Sequence, residues 1–121
     1  MANFWGLVNK VIRKADILLL ILDSRMAENT RNIEIEDKVK EAGKPLIYVL
    51  NKCDIVDKEF IESYRKKLPN SVFVSAKEHL GTTMLREKIF IAASRLKIKD
   101  IKVGVLGYPN VGKSSIINAL R

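Results

Sequence analysis

Residues 107–114 carry the pattern in this sequence that most directly implies chemistry. They read G-Y-P-N-V-G-K-S, which matches G-x-x-x-x-G-K-[ST], and they lie between a predicted strand and a predicted helix. Glycines at this spacing let backbone N–H groups surround phosphate oxygens, and the start of a helix adds a favourable dipole. Lys113 can reach the β- and γ-phosphates, and the Ser114 hydroxyl can ligate Mg²⁺. We therefore predict a nucleoside triphosphate site with these contacts: Asn110, Val111, Gly112, Lys113, Ser114 and Ser115.

A second motif, Asn51-Lys52-Cys53-Asp54, follows a predicted strand and reads N-K-x-D. The Asp54 carboxylate offers two acceptors in one plane, which suit the adjacent N1–H and N2–H₂ donors of guanine. Adenine would leave that carboxylate unpaired, at a cost of roughly 1–3 kcal/mol. The Lys52 stem can lie along the base, and Asn51 can tie this loop to the phosphate loop. Alone, the motif also fits a polar turn capped by Asp54; beside a phosphate loop, the base-binding interpretation is favoured.

The tripeptide Ser75-Ala76-Lys77 follows the next predicted strand and completes the predicted base site. The small Ala76 would let its backbone N–H reach the guanine O6, and the Lys77 stem would cover the other face of the base. Ser75 would steady Asp54 or its own loop. The tripeptide is weak evidence by itself, and its value lies in its position one helix and one strand after Asn51.

The elements that must position these motifs alternate between strands and helices. The apolar stretches 17–22, 46–50, 72–74 and 101–106 read as strands, and the helices between them show apolar residues at helical spacing. Residues 24–31 read as a polar loop. This order predicts an α/β fold with three layers, a mostly parallel sheet with helices on both faces. Ligands of such sheets bind beyond the carboxyl ends of the strands, which is where all three motifs lie.

Composition excludes several other classes of protein. The 121 residues (13.7 kDa) suffice for one domain, and 47% hydrophobic with 30% charged residues are typical of a globular protein. The longest apolar run, residues 17–22, is too short to span a membrane. The single cysteine, Cys53, cannot form an internal disulfide. We expect an intracellular, cytoplasmic protein.

The net charge of +8 is confined to the second half of the chain. Residues 1–60 contain ten Lys and Arg against ten Asp and Glu, whereas residues 61–121 contain twelve against four. This asymmetry favours a polyanionic partner such as nucleic acid, or lysines with local roles at a phosphate site. The cluster Arg65-Lys66-Lys67 fits the solvated end of a helix and, less well, an RNA contact.

The motifs N-K-C-D, S-A-K and G-Y-P-N-V-G-K-S-S resemble the guanine-specificity elements and the phosphate loop of TRAFAC-type GTPases, in an order opposite to the usual one. That order resembles the circularly permuted GTPases of the YlqF/YawG kind, which act in ribosome assembly. Asp23-Ser24-Arg25 and Arg31-Asn32 are similar to that family's D-A-R-x-P and R-N. Ser24 in place of Ala, and Ala27 in place of Pro, are departures from it. The resemblance spans essentially the whole chain.

The resemblance implies GTP or GDP as ligand, Mg²⁺ at Ser114 and Lys113 as the catalytic residue. It also implies a K⁺ ion at Asn110, for which the alternative is a hydrogen bond that stiffens the loop. For Asp23, capping the following loop is favoured over nucleotide contact. The partners expected are a guanine nucleotide and rRNA or a ribosomal subunit, with no membrane.

In the family's permuted order, the switch threonine and the D-x-x-G segment follow the phosphate loop, and neither occurs before Arg121. The expectation is a permuted GTPase domain over residues 1–121 that is truncated after the phosphate loop. It would hydrolyse GTP slowly or not at all, and its phosphate-loop strand would form a sheet edge open to self-association. The alternatives are a guanine-nucleotide or RNA-binding module without turnover, and an ATP-binding protein.

Overall fold

The computed structural model describes residues 4–108 and 111–120, and these contain one parallel sheet. The sheet has the strand order β3-β2-β1-β4. Its strands, in chain order, are β1 (Ile17–Asp23), β2 (Leu46–Asn51), β3 (Ser71–Phe73) and β4 (Val103–Leu106). The α/β fold class with a parallel sheet is thereby confirmed. The self-association expected at β4, which lies at an edge of the described sheet, stays a prediction.

Helices cover both faces of the sheet, as the continuous apolar strands require. The helices are α1 (Phe4–Lys14), α2 (Ala27–Thr30), α3 (Ile33–Glu41), α4 (Lys58–Lys67), α5 (Thr82–Leu96) and α6 (Lys113–Ala119). On one face, α1, α3 and α4 pack over Leu18, Leu20 and Leu22 of β1. On the other face, α5 and α6 pack over the alternate β1 residues Ile17, Leu19 and Ile21. Strand β1 is therefore buried on both sides.

Side-chain caps explain where α3 and α4 begin. The Asn32 side chain accepts a hydrogen bond from the N–H of Ile35 at the start of α3, and Asp57 accepts one from Phe60 at the start of α4. Helix α3 ends before Gly43, whose φ of +70° is left-handed.

The polar loop predicted at residues 24–31 is wrong in part. A 3₁₀ turn, Ser24–Met26, and the one-turn helix α2 occupy it. The turn begins because Asp23 accepts a hydrogen bond from the backbone N–H of Arg25, and α2 ends where the Thr30 hydroxyl donates to the carbonyl of Met26. Within residues 4–108 and 111–120, no helix is both long enough and apolar enough to cross a membrane.

Candidate nucleotide-binding site

The carboxyl ends of the strands surround a cleft of about 440 Å³. It is lined by Asn51 at the end of β2 and by Lys52 and Asp54 just after it. Residues 75–77 after β3, and Gly112 and Ser115 beyond β4, also line it. The parallel sheet brings these stretches together because all strand ends of a parallel sheet point the same way. Three motifs that are far apart in the sequence therefore form one cleft.

Asn51 connects the three loops around this cleft. Its Nδ2 donates to the carbonyl oxygen of Val111 over 3.1 Å, and its Oδ1 accepts from the backbone N–H of Ala76 over 3.2 Å. The hydroxyl of Ser24 also donates to the Asn51 carbonyl. Asn51 is only 4% exposed, so water competes little for these bonds. One side chain thus sets the spacing between the N-K-x-D, S-A-K and phosphate loops.

Gly112 fits against this connection because it has no side chain. Its φ of +93° is in the left-handed region, and a Cβ atom placed there would overlap Nδ2 of Asn51. Both the backbone angle and the space therefore require glycine at this position of the phosphate loop.

Lys52 lies in the left-handed conformation, with φ of +65°, between β2 and a 3₁₀ turn, Cys53–Ile55. Its Nζ contacts Oδ2 of Asp23 at 2.9 Å, and Nη2 of Arg25 contacts the same oxygen at 3.1 Å. Burial raises the pKa of the Asp23 carboxyl, but hydrogen bonds from Arg25 and Lys52 outweigh burial and lower that pKa to about 2. Asp23 is therefore ionised at neutral pH. The two cations that contact it, Lys52 and Arg25, line the cleft.

The remaining base-site residues have simple roles in their loops. Asp54 is exposed on the 3₁₀ turn and lines the cleft, as does the exposed Lys77. Ser75 is buried, and its hydroxyl accepts from the backbone N–H of Glu78, so it steadies its own loop. The backbone N–H of Ala76 is bonded to Asn51 in this structure.

In the phosphate loop, Lys113 donates from Nζ to the carbonyl of Gly107 over 2.9 Å. Val111 is buried, and Ser114 is exposed in the first turn of α6. Asn110, the predicted K⁺ ligand, lies outside the described residues. Ser114 and Lys113 do not line the cleft described above, whereas Ser115 does.

A Mg²⁺ ion fits the residues present. The exposed Ser114 hydroxyl is a hard oxygen ligand, and Mg²⁺ in nucleotide sites takes few protein ligands together with phosphate oxygens. Among the described residues, no group of three or more His, Cys, Asp or Glu is placed to hold a metal by itself. Ser114 is thus the residue that would hold Mg²⁺ beside a bound triphosphate.

Sequence reasoning missed two features of this region. Arg25 lines the cleft, whereas the sequence indicates it only as part of the strand end Asp23-Ser24-Arg25 and predicts no binding role for it. Nδ2 of Asn32 donates to the hydroxyl of Tyr108 over 2.9 Å, which fixes the start of the phosphate loop to the start of α3. The tyrosine inside the G-x-x-x-x-G-K-[ST] pattern suggests a hydrogen bond from its hydroxyl. The sequence does not identify the partner, because Asn32 lies 76 residues away.

Comparison with known proteins finds similarity to GTP-binding proteins. Residues 102–121 match the family model described as 50S ribosome-binding GTPase. The chain is 55% identical over 115 residues to an uncharacterized GTP-binding protein of Methanocaldococcus jannaschii, covering 94% of this chain and 31% of that protein. It is 37% identical over 139 residues to guanine nucleotide-binding protein-like 3 of Rattus norvegicus, covering 94% and 26%.

A third relative is the nuclear GTP-binding protein NUG1 of Saccharomyces cerevisiae, 37% identical over 130 residues, with 91% of this chain and 25% of that protein covered. The chain thus spans about a third or less of the length of these relatives. The parallel sheet, with a G-x-x-x-x-G-K-[ST] sequence after β4, is consistent with a P-loop GTPase domain. More particularly, the chain is homologous to GTP-binding proteins and matches the 50S ribosome-binding GTPase family over its phosphate loop.

Proposed function

We propose that this chain binds GTP and GDP as part of a circularly permuted GTPase domain that serves ribosome assembly. The observation that carries the proposal is the Asn51 side chain, which bonds both Val111 and Ala76 and so brings the base loops and the phosphate loop to one cleft. A nucleotide that spans the cleft would contact all three loops at once. The domain would cover residues 1–121.

The base would bind between the loops after β2 and β3. Asp54 would accept hydrogen bonds from guanine N1–H and N2–H₂, and the stems of Lys52 and Lys77 would cover the two faces of the ring. The cleft is lined by all three side chains, and the loop that carries Ala76 is held at its rim. Adenine would leave the Asp54 carboxylate unpaired, so GTP and GDP would be preferred over ATP.

The phosphates would bind at the loop 107–114. Lys113 would exchange its bond to the Gly107 carbonyl for the β- and γ-phosphate oxygens, and it is the residue we expect to act in hydrolysis. Ser114 would hold Mg²⁺, which when bound neutralises charge on the phosphates. Asn110 is proposed as a K⁺ ligand on its place in the motif alone.

The permuted arrangement is supported by the order of the motifs along the sequence, where N-K-C-D and S-A-K precede the phosphate loop. The role in ribosome assembly is supported by the description of the matching family, 50S ribosome-binding GTPase. The excess of basic residues in 61–121 suits an RNA surface as partner. The cytoplasmic location stays a prediction from composition.

A second candidate is a module that binds guanine nucleotides or RNA without turnover, which the same basic half would also suit. Phosphate release from GTP with Mg²⁺ and K⁺ separates the two candidates. The measurement is made on a chain extended by a switch threonine and a D-x-x-G segment, because the 121 residues alone are expected to release phosphate slowly or not at all. Release by the extended chain would support the GTPase, and binding with no release would support the module.

The binding itself is tested by displacement of a fluorescent GDP analogue from the 121-residue chain. We expect GDP and GTP to displace it, and ATP to need at least about a tenfold higher concentration. Equal displacement by ATP would show that the cleft does not select guanine.

A further inference from the structure

Asp23 occupies an unusual position for a charged residue. It ends β1, pairs in register with Asn51 of β2, and is only 3% exposed. Buried carboxylates are costly unless cations and hydrogen bonds compensate them. The groups that contact the Asp23 carboxylate therefore show which interactions compensate its burial.

Two cations and two backbone contacts surround Asp23. Oδ2 accepts from Nζ of Lys52 and from Nη2 of Arg25, whereas Oδ1 accepts from the backbone N–H of Arg25 over 3.0 Å. The backbone N–H of Asp23 donates to the Thr30 hydroxyl. A neutral asparagine could cap the turn through the same Oδ1, so capping alone does not require a charge. The charged contacts of Asp23 are with Lys52 and Arg25.

The ion pair with Asp23 restricts the side chain of Lys52. Its long side chain lines the cleft, and a lysine side chain loses considerable rotamer entropy when it is fixed. The ion pair with Asp23 fixes it before any ligand binds, so binding costs less. The left-handed backbone at Lys52 fixes the direction of the stem from its other end.

We propose that Asp23 is a positioning residue that holds the Lys52 stem in place as one wall of the cleft for the guanine base. This inference rests on the proposed guanine-nucleotide binding. Asp23 itself touches no ligand, and its effect passes through Lys52. Arg25 supplies the second cation, which keeps the carboxylate ionised while Lys52 faces the cleft.

A double-mutant cycle tests this role. GDP affinity is measured by titration calorimetry for the unaltered chain, Asp23→Asn, Lys52→Met and the double variant. Asp23→Asn keeps the turn cap and removes the charge, and we expect it to weaken GDP binding about tenfold. In the Lys52→Met background the same change should cost less than about twofold. The exposed Asp37→Asn, with the same change of charge, should leave GDP affinity unaltered.

Equal losses in both backgrounds, or no loss from Asp23→Asn, would overturn the proposal. If Asp23→Asn does not fold, the test is NMR of the lysine ammonium groups in the chain without nucleotide. A slowly exchanging ammonium signal that is present in the unaltered chain and missing from Lys52→Met supports the ion pair. If the unaltered chain shows no such signal, the proposal is overturned. If the unaltered chain fails to bind GDP in preference to ATP, the proposed function fails. The Lys52 signal would still report on the ion pair separately.

Discussion

The Asn51 side chain donates a hydrogen bond to the carbonyl of Val111, which lies 60 residues later in the chain, and accepts one from the N–H of Ala76. The first bond links the N-K-x-D loop to the phosphate loop, and the second links it to the S-A-K loop. Their loss should therefore affect both the stability of the fold and the assembly of the cleft.

Replacing Asn51 with Ala should lower the free energy of unfolding by about 3 kcal/mol, because the buried carbonyl of Val111 and the half-buried N–H of Ala76 lose their partner. GDP affinity should fall as well, since the loops are no longer held at one distance. Urea unfolding and calorimetric titration measure the two effects. The control is Asn70→Ala, which removes an exposed amide-to-carbonyl bond to Leu46 and should cost less than about 1 kcal/mol. Equal stability of Asn51→Ala and the unaltered chain would contradict the role of Asn51.

Replacing Gly112 with Ala should destabilise the fold by more than the same change at Gly43. Both glycines have a left-handed φ, but a Cβ at Gly43 meets nothing within 4 Å, whereas one at Gly112 overlaps Asn51. The Gly43 variant thus measures backbone strain alone, about 1–2 kcal/mol. We expect the Gly112 variant to cost at least about 1 kcal/mol more.

The excess at Gly112 should shrink when Asn51 is also replaced by Ala, because the overlapping amide is then gone. Denaturant unfolding of the single variants at Gly43, Gly112 and Asn51 and of the double variant measures this. An excess that persists without the Asn51 amide would show that the strain comes from elsewhere in the loop.

Because Asp23 is ionised in the folded chain, the free energy of unfolding should decrease at acid pH. Its pKa is lowered from 3.8 to about 2 in the folded chain, so its contribution of about 2 kcal/mol is complete well above pH 4 and is lost as the pH falls towards 2. The difference in free energy of unfolding between the unaltered chain and Asp23→Asn should be constant from about pH 5 upward and about 1 kcal/mol smaller near pH 3. Denaturant unfolding at a series of pH values measures it. A difference that grows on acidification would contradict the assignment.

Much of this arrangement could be predicted from the sequence. The strand at 17–22 is evident because six apolar residues run without alternation, and the three motifs at strand ends share one rim because parallel strands end on one side. The tie from Asn51 to the phosphate loop was predictable from the loops' expected proximity. The single-turn helix α2 was not, because four residues carry no periodicity.

The contact between Asp23 and Lys52 also could not be predicted from the sequence. The two residues are 29 positions apart, and their meeting depends on the register of β1 with β2 and on the left-handed backbone at Lys52. A sequence pattern specifies neither the register nor that angle. The same holds for the bond from Asn32 to Tyr108.

The central claim, that Asp54 recognises guanine in this cleft, is tested most directly by Asp54→Asn with GDP and xanthosine diphosphate as ligands. Xanthine carries a carbonyl where guanine carries the 2-amino group, so an amide donor at position 54 suits xanthine and leaves guanine mismatched. Calorimetry should show GDP affinity reduced at least about tenfold and xanthosine diphosphate affinity increased, with Asp57→Asn unchanged for both. Retention of GDP affinity by Asp54→Asn would contradict the claim.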